Sequence, residues 1–280
     1  MATTKSDRRS TAYKTAFYVF MVVSVIITLF PFVWMLSTSF KSPGEIFTKQ
    51  PTILPQLWTL NGYKNLFAAV NMWLHLCNSV IYAVSITALS VLFNAMAAYA
   101  FAKLRFPGRE KLFALLLVTM MVPGQVTMLP VFLILKSLGL LNSYAGLVLP
   151  GSAAVFAIFM IRQFMMEIPE EILEAARIDG FSEFAIFWRI MLPLCRPIIA
   201  TLTVFSFIGA WNDFLWPLII MLREDKYTLP VALASINGQY NTDWGLLMAG
   251  AVVVVLPAVL IFLMAQKHYI KGIAAGAVKG

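Results

Sequence analysis

Charged residues are absent from seven stretches of the chain: 15–40, 65–102, 112–135, 137–161, 197–212, 214–222 and 244–266. A helix needs about 20 predominantly apolar residues to cross about 30 Å of hydrocarbon. Five of the stretches meet that length alone, and the pair 197–212 and 214–222 meets it together, with only Asp213 between them. The pattern therefore predicts an all-α membrane protein with six transmembrane helices, at 15–36, about 74–102, 112–135, 140–161, 197–222 and 244–266. The first apolar run far exceeds the 7–15 residues of a signal-peptide core, and no small-residue cleavage site follows it. It is read as a retained anchor.

Two polar intervals are long. The first, 37–73, is rich in turn formers, among them Lys41-Ser42-Pro43-Gly44, Pro51, Pro55 and Asn61-Gly62, and predicts an ordered external loop ahead of a main bundle over 74–266. The second, 162–196, holds six of the thirteen acidic residues and reads as two helices with a break. Pro169 suits the first helical position, and Glu170, Glu171 and Glu174 sit near the positive end of the macrodipole. Gly180 suits the left-handed position just past a helix end. Ser182 is placed to cap a second helix running through Glu183 and Trp188 towards Leu192-Pro193.

Charge sets the orientation. Lys5, Arg8, Arg9 and Lys14 lie in the tail 1–14, and Lys103, Arg105, Arg109 and Lys111 lie in the connection between spans 2 and 3. Basic residues in short loops mark the cytoplasmic side. The connections that carry Lys136, and Arg223 and Lys226 beside Glu224, Asp225 and Asp243, are then external. Lys267, His268, Lys271 and Lys279 return the tail 267–280 to the cytoplasm, so both termini lie inside. The net charge of +8 is mostly this topology signal, and no basic block is dense enough for nucleic acid. Composition agrees, with 60% hydrophobic and 12% charged residues against about 45–50% and 25% in soluble domains. Cys77 and Cys195 fall at opposite membrane faces on this map, which predicts earlier labelling of Cys77 by an impermeant thiol reagent. Two cysteines and two distant histidines, His75 and His268, make a metal site improbable.

The interval 162–196 has two readings. It lies along the membrane surface and covers the bundle, or it docks a protein. Its first helix is acidic and would be repelled by anionic headgroups, which reward Lys and Arg, so a protein partner is favoured.

Glu174-Ala175-Ala176-Arg177-Ile178-Asp179-Gly180, followed after nine residues by Ile190-Met191-Leu192-Pro193, resembles the EAA loop of ATP-binding-cassette (ABC) importer permeases. Small Ala175 and Ala176 suit close approach by another surface, Gly180 suits a sharp turn, and Glu174, Arg177 and Asp179 offer charged handles. Asn78-Ser79, Ala97-Ala98-Tyr99-Ala100-Phe101-Ala102, Phe106-Pro107-Gly108, Gly209-Ala210-Trp211-Asn212-Asp213 and the terminal Gly276-Ala277-Val278-Lys279-Gly280 are similar to the carbohydrate branch, the maltose-transporter type of permease. The resemblance implies a type I ABC importer permease fold in which the loop's first helix is a coupling helix docked into a cytoplasmic ATPase. The implied partners are a second, homologous permease, two copies of that ATPase, an external solute-binding protein, the lipid bilayer and a sugar substrate. It also implies no cofactor on this chain, with ATP and Mg used by the partner ATPase, and no catalysis by this chain.

An ionisable residue within a span is a functional hypothesis by default. Asp213 is read in two ways: as a carboxylate bonded within the bundle to fix helix packing, or, with Asn212, as an acceptor lining the solute pathway. Trp211 and Trp216 are interface anchors or platforms for a sugar face. Asn94, and Gln125 in Met121-Val122-Pro123-Gly124-Gln125, are polar glue between helices or pathway residues. Two rivals remain. A gradient-driven secondary transporter calls for repeats and a midplane ion site, which the sequence does not display. A permease for glycerol phosphate or another small polar solute would share this frame. A membrane enzyme is disfavoured because no nucleophile, base and orienting group gather, and no Walker-type phosphate loop occurs.

Overall fold

The computed structural model describes residues 3–48, 50–236 and 243–277, without the side chains of 3–12, 265 and 267–277. Every regular element among them is helical. Lys5, Arg8, Arg9, Lys267, His268, Lys271 and Lys279, on whose charges much of the topology expectation rests, have side chains outside the described residues, as do Val278–Gly280 of the terminal motif.

The first predicted span lies within α1 (Thr3–Thr38), which extends into the polar tail and contains Pro31. The interval 37–73 forms α2 (Pro43–Ile46) and α3 (Asn61–Ala69); Pro43 stands in the first turn, where no N–H is needed. The second span is the unbroken α4 (Met72–Lys103), opened by Asn71, whose Oδ1 accepts from the Leu74 amide at 3.2 Å.

The third predicted span, 112–135, is not one helix. It divides into α5 (Arg109–Thr119) and α6 (Gly124–Ser137), bent by 101°. Pro123, extended at ψ 133°, cannot donate to a preceding carbonyl, and its ring crowds the residue four positions back.

The fourth begins at α7 (Tyr144–Val148), capped by Ser143, and resumes after a tight turn as α8 (Val155–Met166), with a bend of 46°. Residues 140–143, expected inside the span, lie outside the helix. Asn142 is left-handed there, at φ 55°, a conformation that asparagine tolerates, and its Oδ1 accepts from the amides of Leu222 and Arg223 at 3.2 and 3.3 Å.

Beyond it follow α9 (Glu170–Ile178) and α10 (Glu183–Leu194), the latter widened into a π turn at Phe187–Met191 just before Pro193. An 80° bend leads into α11 (Arg196–Trp211). The fifth predicted span, 197–222, is interrupted. α11 ends at Trp211, and α12 (Leu215–Ile220) starts only after Asp213. Pro217, four residues past Asp213, would clash with the Asp213 carbonyl in a continuous helix. The chain closes with α13 (Leu229–Ser235) and the long α14 (Trp244–Ala277).

The chain divides into two compact units, Met1–Val70 with Ile236–Val255 and Asn71–Ser235 with Leu256–Gly280. In the first unit, the apolar side chains of α1 from Tyr13 to Val33 are mostly exposed, as expected of a helix apolar on all sides whose solvent is lipid. The loop after it is tightly organised. Lys41 lies over the Trp34 ring, 4.6 Å from its centre, and donates to the Thr52 carbonyl. Glu45 accepts from the Thr52 hydroxyl at 2.9 Å and the Gln56 amide at 2.8 Å. Backbone packs on backbone at Gly62, where a Cβ would stand 2.6 Å from the Gly245 carbonyl oxygen.

In the second unit, α4 packs along both α8 and α11. Its facing positions are small, Ala95 and Ala98, beside Ala157, Ile158, Ile161 and Leu202. Lipid offers little drive to bury apolar surface, so helices associate through close packing and hydrogen bonds, both of which small residues favour.

Candidate functional site

Two arrangements bear on function, a loop at one end of the second unit and a cavity within it. In the loop, α9 is strongly two-sided. Leu173 and Ala176 are buried with Ile186, Phe187 and Met191, while Glu171, Glu174, Ala175, Ile178 and Asp179 are exposed. Ile178 is 86% exposed and Phe184 65%, so an outer surface carries acids, one small residue and two large apolar side chains. The paired alanines are thereby separated: Ala175 stays on the outer face, whereas Ala176, expected to face another surface, fills the core of its own chain. A helical period puts Ala176 three positions after Leu173, on the same side.

The turn after α9 is closed by its own hydrogen bonds. The Phe181 amide donates to the Ala176 carbonyl at 3.0 Å and the Gly180 amide to the Arg177 carbonyl at 3.1 Å, with Gly180 at φ +83°. That pair of bonds around a left-handed glycine is a Schellman cap. Ser182 then accepts from the Ala185 amide at 3.3 Å and opens α10.

A chain of charged groups ties the loop to the end of α4. Arg177 donates to Glu183 at 2.8 Å and to Glu170 at 3.5 Å; Lys103 donates to Glu170 at 3.3 Å and to the Ile168 carbonyl at 2.7 Å; the Tyr99 hydroxyl donates to Glu183 at 2.6 Å. The hydrogen bond from Arg177 holds the Glu183 carboxyl below the usual carboxylate range, and Glu183 in turn raises the Arg177 guanidinium. Arg177 therefore faces its own chain. Sequence reasoning missed Tyr99 and Lys103 as members of this bracket, because a lysine ending a span reads equally well as a topology signal. Beside it, Arg162 is buried over the Phe113 ring at 4.0 Å and donates to the Phe101 carbonyl and to Glu110, both at 3.1 Å.

The cavity has a volume of about 900 Å³ and is bordered by α4, α6, α8, α11 and α12. It brings together Asn94, Gln125, Asp213 and Trp216 of the sequence candidates, and adds Tyr82. Asp213 sits at the break between α11 and α12, where Oδ2 accepts from the Tyr82 hydroxyl at 2.9 Å and Oδ1 from the Trp216 amide at 3.4 Å. The Trp216 indole donates to the Leu147 carbonyl at 3.1 Å. Asn94 is nearly fully buried; it donates to Ser90 at 2.7 Å and accepts from the Ala154 amide at 3.0 Å. Its amide is thus already engaged in joining α4 to the start of α8. Gln125 is exposed at the first turn of α6.

Trp211 and Asn212 are not brought into the cavity. Trp211 is 2% exposed and stacks on Phe207 at 5.9 Å, while Asn212 points outward and donates to the Ile208 carbonyl at 3.0 Å. Both depend on where α11 ends, which periodicity does not locate.

Comparison with known proteins gives a consistent result. The family described as binding-protein-dependent transport system inner membrane component matches residues 90–274. The arabinooligosaccharides transport system permease protein of Halalkalibacterium halodurans is 36% identical over 257 residues, covering 91% of this chain and 92% of that protein. The diacetylchitobiose uptake system permease protein of Streptomyces coelicolor is 35% identical, covering 99% and 92%. Among solved structures, a chain of a bacterial ABC transporter involved in the import of the acidic polysaccharide alginate superimposes with a TM-score of 0.86 over 94% of this chain and 98% of that one, at 24% identity. This all-α membrane protein thus has the ABC importer permease fold, and the chain belongs to the family of binding-protein-dependent transport system inner membrane components.

Proposed function

We propose that this chain is one of two permease subunits of a sugar-importing ABC transporter, and that residues 162–196 are the lever through which an ATPase moves it. The observation that carries the proposal is α9. The Glu-Ala-Ala of the pattern falls on α9, its Gly on the cap and its Ile-x-Leu-Pro on α10; the inner face of α9, Leu173 and Ala176, is locked into the bundle, while its outer face offers Glu171, Glu174, Ala175, Ile178 and Asp179. A helix fixed on one side and open on the other carries displacement from whatever docks on it. Through Glu170, Arg177 and Glu183 that displacement reaches Lys103 and Tyr99 at the end of α4.

ATP and Mg are bound and consumed by two copies of the partner ATPase, and their closure shifts α9. The second permease supplies the other wall of the passage, and an external solute-binding protein delivers the solute. A sugar is the solute class because relatives covering nearly the whole chain are named for arabinooligosaccharides and diacetylchitobiose. Three unbroken helices and three bent pairs among the described residues have the length and composition of spans, which supports six crossings. Residues 162–196 then lie on the cytoplasmic side with both termini. The cavity that holds Asp213 forms this chain's wall of the solute path under alternating access.

The test is affinity purification of the chain from its membrane in mild detergent, beside a variant carrying E174K and G180A. The parent is expected to retain an ATPase and a second permease, and the variant to keep the permease but lose the ATPase. A parent that purifies alone and catalyses gradient-driven uptake would overturn the importer reading.

A further inference from the structure

Of the described residues bordering the cavity, only Asp213 and Tyr82 are titratable. The other polar ones, Ser90, Asn94, Gln125, Thr127, Ser206 and Trp216, are neutral, and no Lys, Arg or His is among them. Both Asp213 oxygens accept hydrogen bonds, Oδ2 from the Tyr82 hydroxyl at 2.9 Å and Oδ1 from the Trp216 amide, a group that only donates, at 3.4 Å. Partners of that kind fit a carboxylate. A carboxylate has about four lone-pair sites, so two stay open towards the cavity.

From this arrangement we propose that Asp213, positioned by Tyr82, makes the passage selective by charge. It admits uncharged polyhydroxyl solutes, whose hydroxyls donate to the open lone pairs, and cationic ones; it turns away anions such as phosphorylated polyols and uronates. The proposal rests on the cavity being the passage. An anion entering it would lose hydration, find no cation among these side chains to replace the lost water, and meet a like charge in a medium of reduced dielectric. The similar fold from the alginate transporter serves an acidic polysaccharide by its title, so the selectivity follows from these side chains and not from the fold.

Gly209 supplies the probe. It borders the cavity on α11, and a Cβ there meets no atom within 4 Å, so Gly209→Cys places a small side chain there with no clash at its Cβ. The assembled transporter carrying this variant would be treated, with and without ATP, with three methanethiosulfonates: one neutral, one cationic with a trimethylammonium group, one anionic with a sulfonate. Each rate is divided by the rate with a free thiol, and the parent chain, with Cys77 and Cys195, gives the background. The cationic reagent is expected to exceed the anionic by at least about tenfold, the size expected of a single nearby charge in a partly screened cavity. Asp213→Asn in the same background brings the ratio to within about threefold, while Tyr82→Phe, which keeps the charge, preserves it. Equal rates for the two charged reagents, or a ratio that survives Asp213→Asn, would overturn the charge selectivity. A cysteine at position 209 that even the neutral reagent fails to reach, in either nucleotide state, would overturn the passage reading itself and the proposal with it.

Discussion

Single residues separate into those that serve the fold and those left free to act. Asn94 belongs with the first group. Its buried amide joins Ser90 to the Ala154 amide at 2.7 and 3.0 Å, and Asn94→Ala removes both bonds. A loss of about 0.5–1.5 kcal/mol per bond is expected, read as a lower midpoint in thermal unfolding of the purified complex. Gly180 is constrained by its backbone, at φ +83° with nothing within 4 Å of its absent side chain. Gly180→Ala therefore costs left-handed strain of about 1–2 kcal/mol with no clash, whereas Gly180→Asn costs less because asparagine accepts that conformation. ATPase retention on purification should rank parent, Asn, then Ala; equal retention by all three would show that the turn is not needed for docking.

Elements respond as units. Helix α9 is held by Leu173, which is fully buried, and by the bracket of Glu170, Arg177, Glu183, Tyr99 and Lys103. Leu173→Ala leaves a cavity worth about 2–5 kcal/mol in the loop core and should release the ATPase while the second permease stays bound. The bracket is pH-dependent with a definite sign. Arg177 lowers the Glu183 pKa in the folded chain, so the carboxylate contributes stability above its unfolded value, and that contribution is lost as pH falls through the lowered folded value. Exchange-corrected amide protection over 170–186 should therefore fall in acid, and Glu183→Gln should remove that acid step. An unchanged acid step in the variant would assign it to other carboxylates.

At the scale of the whole molecule, sidedness is the property most open to test. The sequence pointed to Cys77 and Cys195 as opposite markers, but Cys195 is fully buried in the core beside Met191, so it stays unlabelled on whichever side it lies. Exposed positions serve better. In intact cells an impermeant maleimide should label Arg223→Cys and spare Arg105→Cys, and permeabilised cells should label both, since both side chains are exposed. Labelling of Arg105→Cys in intact cells would invert the topology.

The two long-range readings had different footing in the sequence. In lipid only helices and closed barrels satisfy the backbone, and continuous apolar runs of more than 20 residues match a helix where a barrel strand takes about 9–11, so the all-α class followed from composition and spacing alone. The Glu174–Gly180 and Ile190–Pro193 spacing likewise marked α9, its glycine cap and α10, because caps and proline act within a few residues of their own position. Tertiary structure decided what local rules do not reach. It buried Ala176 and tied the exposed Arg177 to Glu183 and Glu170, since α9 lies against α10 and the end of α4. It broke 112–135 at Pro123, and 197–222 at Asp213, where Pro217 forbids one helix. It set Tyr82, 131 residues from Asp213 along the chain, against that carboxylate, and buried Trp211. Those outcomes depend on which helices meet and at what angle, and such contacts join residues too distant in sequence for any periodicity to link.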